Sequence, residues 1–361
     1  MTDKKISELT QITGADVDDA NDELAIVDAS ASETKAITRG ELFTNVDLTG
    51  DVTGNLTGDV TGELDLSAIA ETKADTAVDV FVYDTSRDSD GGAWRKRTQH
   101  TSWYNETLNT STRGSRREFP AVAVIVAEAD KVTIYDGDDP SLPMWKVLKS
   151  QASPPPAGAI AAFWMGPSAT RQATSICALD GILSLTARSD TVSNGIGLFT
   201  ANLISDKLVR HSRSTANSGI WQGAFADLSH PEGIPITIET AEPIAANNAN
   251  DVAMTILPDS PIDPATGLPV PTILVGTDGN GTYSTSIITD SGDVYDIASD
   301  STGTAVSIAF DGVSAVVTRS DGTVYVWDDA GAIAADGASP DATYSASSTP
   351  ALLGAVSEVA A

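Results

Sequence analysis

Residues 47–62 repeat one tetrapeptide four times: Asp47-Leu48-Thr49-Gly50, Asp51-Val52-Thr53-Gly54, Asn55-Leu56-Thr57-Gly58 and Asp59-Val60-Thr61-Gly62. A period of four suggests a helical stripe. Glycine at every fourth position, however, costs about 1 kcal/mol each inside a helix, and Thr adds to that. The same run also alternates with a period of two. One parity holds only Asp, Asn and Thr, while the other holds Leu48, Val52, Leu56 and Val60 separated by glycines. An extended strand of this kind has a polar face and an apolar face, and the glycines let another backbone come close. Alone it is unstable, whereas two or three copies wound around an axis bury the four aliphatic residues together. At ~3.3 Å per residue the run spans on the order of 50 Å. We read it as the intertwined neck of a homo-oligomer. A homotrimer is the expected state, because three strands close without an unpaired edge. A floppy Gly/Thr linker is the alternative.

Before the neck, Leu24–Asp28 and Thr34–Thr38 alternate as two short strands around a small polar loop, which predicts a hairpin. Thr38-Arg39-Gly40-Glu41 has capping-box spacing ahead of Leu42 and Phe43, so a helix of one or two turns is expected there. The candidate attachment residues of this segment are the apolar Ile6, Leu9, Leu24, Ile26, Ile37, Leu42 and Phe43. They are too few to offset the entropy of ordering it alone, so a partner chain is expected.

After the neck, Val78–Asp84 alternates as a strand. Residues 119–361 then contain many short apolar runs bounded by Asp-Gly, Ser-Gly or Pro signals. The expected strands are Ala121–Ala127, Lys131–Tyr135, Met144–Leu148, Ala159–Met165, Ser175–Leu179, Ile182–Ala187, Ile196–Thr200, Leu203–Arg210, Thr272–Gly276, Ser286–Thr289, Val294–Ile297, Val306–Phe310, Ala315–Thr318 and Val324–Trp327. No long amphipathic helical pattern interrupts them, so the fold class is mainly β. Ile287–Ile297 resembles Val316–Trp327, with one residue inserted in the second turn. Repeated hairpins of this type mark propeller-like blades, with a β-sandwich as the alternative. The series reads as unfinished at Ala361.

Charge divides the chain further. It has 361 residues, 50 acidic and 21 basic, and a net charge of −29. That balance argues against broad nucleic-acid binding, which needs a basic face. From Ser214 onward Arg319 is the only basic residue, yet Arg87, Arg95, Lys96, Arg97, Arg113, Arg116 and Arg117 crowd into one stretch. Trp94, Trp103 and Tyr104 lie among them, and Arg stacks well on aromatic faces. Two readings stand for this island. It is a contact surface for an acidic or sugar-bearing partner, or between copies, or else an internal network of ion pairs and cation–π contacts that fixes a loop. The expected organisation is a 1–46 attachment segment, a 47–65 neck, a 66–118 junction module and a 119–361 β-rich region.

Chemistry is sparse. His100, His211 and His230 are scattered, and the one cysteine, Cys177, lies in an expected strand. Asp88-Ser89-Asp90-Gly91 carries part of a calcium-loop pattern without the remaining ligands. No catalytic residue, cofactor site or metal site is expected, although one acid pair among 50 for glycoside hydrolysis stays open. The N-terminus lacks the apolar run of a signal peptide, and no stretch has the length of a membrane span, so a soluble chain without membrane insertion is expected.

Lys5-Ile6-Ser7-Glu8-Leu9-Thr10, followed by Asp22–Asp28 and Glu33–Thr38, resembles the start of many tailed-phage fibre and appendage proteins. The Asp/Asn-(Val/Leu)-Thr-Gly run is similar to repeats of phage fibre shafts. Tyr83–Lys96 and Pro271–Thr277 resemble structural proteins of phages of marine bacteria. The resemblance implies a virion protein made in the host cytoplasm, a tail fibre or its base, or a head fibre. Residues 1–46 would attach it to other tail or virion proteins, and the β region would adhere to a host glycan or receptor. It carries no enzymatic residues. A carbohydrate-binding module with Trp221 and Trp327 at loop tips is the alternative, and a depolymerase a more distant one.

Overall fold

The computed structural model describes residues 23–28, 33–38, 76–149, 171–189, 197–215, 218–222, 225–226, 240–279, 281–299 and 303–345. The chain divides into two units, Met1–Glu63 and Leu64–Ala361. In the first, β1 (Glu23–Asp28) pairs antiparallel with β2 (Glu33–Thr38), with Leu24 opposite Ile37. This is the hairpin expected from the alternation. The expected helix after Thr38, the whole 47–62 repeat and the expected strand Ala159–Met165 lie outside the described residues.

Among the described residues the second unit is mainly β, with four antiparallel meanders in chain order. Sheet 1 holds β3 (Ala77–Asp84), β4 (Val122–Glu128), β5 (Lys131–Asp136) and β6 (Met144–Lys149). Sheet 2 holds β7 (Arg171–Leu179), β8 (Ile182–Ser189), β9 (Gly197–Asn202), β10 (Lys207–His211) and β11 (Gly219–Gln222). Sheet 3 holds β12 (Ala249–Thr255), β13 (Thr272–Thr277), β14 (Tyr283–Ile288) and β15 (Val294–Ser299). Sheet 4 holds β16 (Ala305–Asp311), β17 (Ser314–Arg319), β18 (Val324–Trp327) and β19 (Ala342–Tyr344). The first strands of successive sheets pack side by side, β3 on β7, β7 on β12 and β12 on β16.

Three apolar layers separate the sheets. Ile125, Ile134 and Trp145 of sheet 1 meet Ile176, Leu185 and Phe199 of sheet 2. Cys177 and Leu198 leave sheet 2 by its other face and meet Ile273 and Val275 of sheet 3. Leu274 and Ile287 of sheet 3 then meet Ile308, Val317 and Trp327 of sheet 4. Consecutive residues Ile273, Leu274 and Val275 thus serve opposite layers, as the two-residue period of a strand requires. Gly276 lies against sheet 4: a Cβ there would lie 3.2 Å from Ile308 Cγ2 and 3.3 Å from Ala305 Cβ.

Turn chemistry sets the hairpins. Asp180 and Gly181 both have positive φ, +49° and +72°, the two-residue turn whose twist matches the flanking strands. The β14–β15 and β17–β18 turns are equivalent residue for residue. Thr289 N donates to Asp293 O and Gly292 N to Thr289 O, while Arg319 N donates to Thr323 O and Gly322 N to Arg319 O. The inserted residue expected from sequence is therefore not needed. The expected strand Leu203–Arg210 begins only at Lys207. Asn202 Oδ1 accepts from the amides of Ile204 and Ser205 at 2.9 Å and turns the chain there. Strands β11, β12 and β19 were not expected, β12 because Asn250 and Asp251 give it the composition of a loop.

Candidate functional site

Residues 85–119 form a long insert between β3 and β4, and the basic island lies on it. Asp84 Oδ1 accepts from Ser86 N at 3.0 Å and starts a 3-10 turn at Thr85–Arg87. Two further 3-10 turns, Ala93–Arg97 and Trp103–Asn105, each place one tryptophan inward. Trp94 and Trp103 are fully buried. They belong to an aromatic chain in which Trp94 meets Phe119 at 5.4 Å, Phe119 meets Trp145 at 4.9 Å, and Trp145 meets Trp103 at 5.3 Å. Tyr104 packs edge-on against Trp103 at 5.9 Å.

The cations are engaged within the chain to different degrees. The Arg113 guanidinium lies 4.3 Å from the Trp145 ring and donates to the carbonyls of Arg116, Trp145 and Arg117 at 2.7, 2.8 and 2.7 Å. Arg117 lies over Tyr104 at 5.6 Å and donates to its carbonyl. Arg95 donates to the carbonyls of Gly92 and Phe119. Arg116 donates to Asp136 and Asp138 of the β5–β6 end. Arg97 pairs with Asp90 at 3.0 Å and donates to Thr266 O of sheet 3's long β12–β13 connection. Arg87 stands apart, 83 % exposed, with Asp84 at 3.8 Å.

Beneath the insert, Lys146 Nζ donates to both Glu106 oxygens at 2.7 Å, and Arg113 Nε is 3.6 Å from Oε2. Burial pulls Lys146 down to about 8, against the raising effect of Glu106. Arg113 is lowered to about 10, again chiefly by burial. Asp138 keeps a carboxyl below the ordinary range despite burial, because the amides of Ala121 and Val122 and the Arg116 guanidinium all favour its charge.

Two serines fasten the insert to sheet 2. Ser89 donates through N and Oγ, both at 2.7 Å, to Asp180 in the β7–β8 turn. Ser102 donates through N at 2.7 Å and Oγ at 2.9 Å to Asp206 in the β9–β10 turn. Next to the first clamp, Tyr83 Oη and Trp94 Nε1 donate to Asp88 Oδ2 at 2.6 and 2.7 Å. Burial raises the Asp88 carboxyl, opposed by these donors, and raises the Tyr83 hydroxyl as well.

A second set of contacts escaped the sequence reading. Each first strand carries a β-bulge at the same tetrapeptide: Ala77-Val78-Asp79-Val80, Ala173-Thr174-Ser175-Ile176, Ala249-Asn250-Asp251-Val252 and Ala305-Val306-Ser307-Ile308. The third residues tie one sheet to the next. Asp79 Oδ2 accepts from Ile176 N at 2.8 Å, Ser175 Oγ donates to Asp251 Oδ1 at 2.9 Å, and Asp251 Oδ2 accepts from Ile308 N at 2.8 Å. Two of the second residues add Thr174 Oγ1 to Ala249 O at 2.7 Å and Asn250 Nδ2 to Ala305 O at 2.9 Å. The recurring Ala-x-(Asp/Ser)-(Val/Ile) was the available signal, masked by its irregular spacing.

Of the other singled-out residues, Trp327 is buried and donates to Ala338 O at 3.0 Å, so it is not at a loop tip. The side chain of Trp221 lies outside the described set. His211 is buried with Nδ1 2.8 Å from Glu242 O, and His100 is exposed. Cys177 is buried, which raises its thiol. Among the described residues no three His, Cys, Asp or Glu side chains cluster as a metal site.

No family model and no curated protein matches the chain. Solved structures to which it is similar include BBS1N in complex with ARL6DN, at 12 % identity and a TM-score of 0.30, covering 61 % of this chain and 49 % of that one. The chain thus spans about half the length of that match. Others are the computationally designed Ika8 protein, at 8 % identity, TM-score 0.24 and coverages of 62 % and 71 %, and Hsv2p of Kluyveromyces lactis, at 10 %, 0.19, 58 % and 71 %. Identities and scores this low leave the family of the chain unassigned.

Proposed function

We propose that this chain is a structural protein of a tailed-phage virion, a tail fibre or its base. Its N-terminal segment docks on the particle, its 47–62 repeat gathers three copies, and its β region projects outward as propeller-like blades that take part in host adhesion. The observation that carries the reading is the order of parts along the chain. A hairpin preceded by Lys5-Ile6-Ser7-Glu8-Leu9-Thr10 comes first, then a four-fold Thr-Gly repeat, then four antiparallel meanders. The reading needs no covalent chemistry: several weak contacts presented together exceed the affinity of any one. The test is deletion of residues 1–46 in the producing phage, with purified particles probed by immunoblot. The truncated chain is expected to accumulate as soluble protein and to be missing from particles. Incorporation at the wild-type level would remove the docking assignment.

A further inference from the structure

Among the described residues no further sheet covers sheet 1 or sheet 4 at the two ends of the stack. In the middle of the stack, β13 has all six residues buried. In β3, by contrast, Val80 and Val82 on the outer face are each 44 % exposed. At the far end Val306 is 47 % exposed and Tyr344 46 %. A solvated sheet face normally carries polar side chains in alternation with apolar ones. Here Val80, Val82 and Val306 set apolar side chains there instead.

The bulge contacts say what belongs there. The third residues of the four tetrapeptides read Asp79, Ser175, Asp251, Ser307, an Asp–Ser alternation. Asp251 Oδ1 takes its own following amide, Val252 N, at 2.9 Å together with the Ser175 hydroxyl of the preceding sheet. Asp251 Oδ2 takes the Ile308 amide of the following sheet. Asp79 is arranged in the same way: Oδ1 takes Val80 N at 2.8 Å, and Oδ2 takes Ile176 N. What Asp79 lacks among the described residues is the serine of a preceding sheet. Ser307, exposed on sheet 4, is a serine in the matching position, and among the described residues no further sheet follows it.

We infer that sheet 4 of one copy stacks on sheet 1 of a second copy, with Ser307 donating to Asp79 of that copy as Ser175 does to Asp251 within the chain. The junction continues the interface already formed between sheets 2 and 3, and Val306 of one copy then meets Ala77 of the next, as Thr174 meets Ala249 within the chain. Charge suits the same polarity. The first strands run in one direction, so Arg87, exposed just beyond β3, lies at the end of the stack where sheet 4 presents Asp311. A junction joining different faces of the two copies closes into a ring or continues as an array, depending on its rotation. The inference rests on the sheet contacts and not on the virion reading.

Full-length chains carrying Ala77→Cys and Val306→Cys, each with its own affinity tag, are co-expressed and then treated with a mild oxidant or a short bis-maleimide. Denaturing gels under non-reducing conditions are read for a species carrying both tags. The matched pair is expected to cross-link, while a control pair of Ala77→Cys with Val313→Cys does not. Cys177 is buried and contributes little background. Adding Ser307→Asp to the Val306→Cys chain sets a second carboxylate against Asp79 and is expected to cut the matched product about tenfold. Equal cross-linking in matched and control pairs, none with either reagent, or a matched product indifferent to Ser307→Asp would each overturn the junction. Incorporation into particles plays no part in this readout, so its failure is distinguishable from failure of the virion reading.

Discussion

Asp251 of β12 holds the main-chain amide of Ile308 in β16 at 2.8 Å while accepting the Ser175 hydroxyl of β7 at 2.9 Å. One carboxylate therefore ties three sheets together. Replacing it with alanine strands a buried amide and a part-buried hydroxyl, at a cost of about 1–3 kcal/mol. Asp251→Asn keeps one acceptor oxygen and is expected to cost less. Urea unfolding of both variants checks the ranking, and equal midpoints would show that the carboxylate is not a tie.

The serine clamps make a second prediction. Ser102 Oγ donates to Asp206 and accepts from Ala226 N at 3.0 Å. Ser102→Ala removes both contacts, and a loss of about 1–3 kcal/mol is expected. Amide exchange should rise first in residues 98–106. A uniform rise across sheets 3 and 4 instead would refute a local fastening role.

The basic island separates into buried and exposed charges, so its arginines should not behave alike. Arg113→Ala leaves the Glu106–Lys146 pair with one partner fewer in a buried setting, at a cost of about 3–5 kcal/mol. Arg97 is 45 % exposed, and Arg97→Ala is expected to cost about 1 kcal/mol or less. Raising salt from ~0.1 to ~1 M should shrink the Arg97 effect and leave that of Arg113 almost unchanged. Parallel salt responses would contradict this division.

Lys146 sets a pH dependence. Its ammonium is lowered to about 8 by burial, while an unfolded lysine titrates near its ordinary value of about 10.4. Below pH 8 both states hold the proton and the burial cost is present in full. Between about pH 8 and 10.4 the unfolded chain binds more protons than the folded one, so this group's contribution to stability rises with pH. The groups facing it are Glu106, Arg113 and Asp206. Stability measured across that range should climb for the wild type relative to Lys146→Met. A constant difference would mean that Lys146 is not the titrating group.

Much of the β content was legible because it rests on local rules. β3 alternates, Asp180-Gly181 demands a tight hairpin, and the paired turns at Gly292 and Gly322 repeat within the chain. β12 was not legible. Asn250 and Asp251 look like loop residues until the neighbouring strands supply the amides and hydroxyls they bind. Leu203–Asp206 failed for the converse reason, since an apolar run was turned aside by the Asn202 side chain.

The sequence by itself determined the β class and most strand positions, since both follow from side-chain alternation and backbone preference within a few residues. It also located the basic, aromatic stretch. Only the tertiary structure decided how those residues are used. Two readings of the island were open because a guanidinium suits a partner's carboxylate and its own chain's carbonyls equally well. Trp145, Glu106 and the carbonyls of Arg116 and Arg117 come within reach of Arg113 only when the insert folds over β6. The Asp–Ser alternation that links the sheets is likewise spread over four distant tetrapeptides, and it became a single device only when β3, β7, β12 and β16 lay side by side.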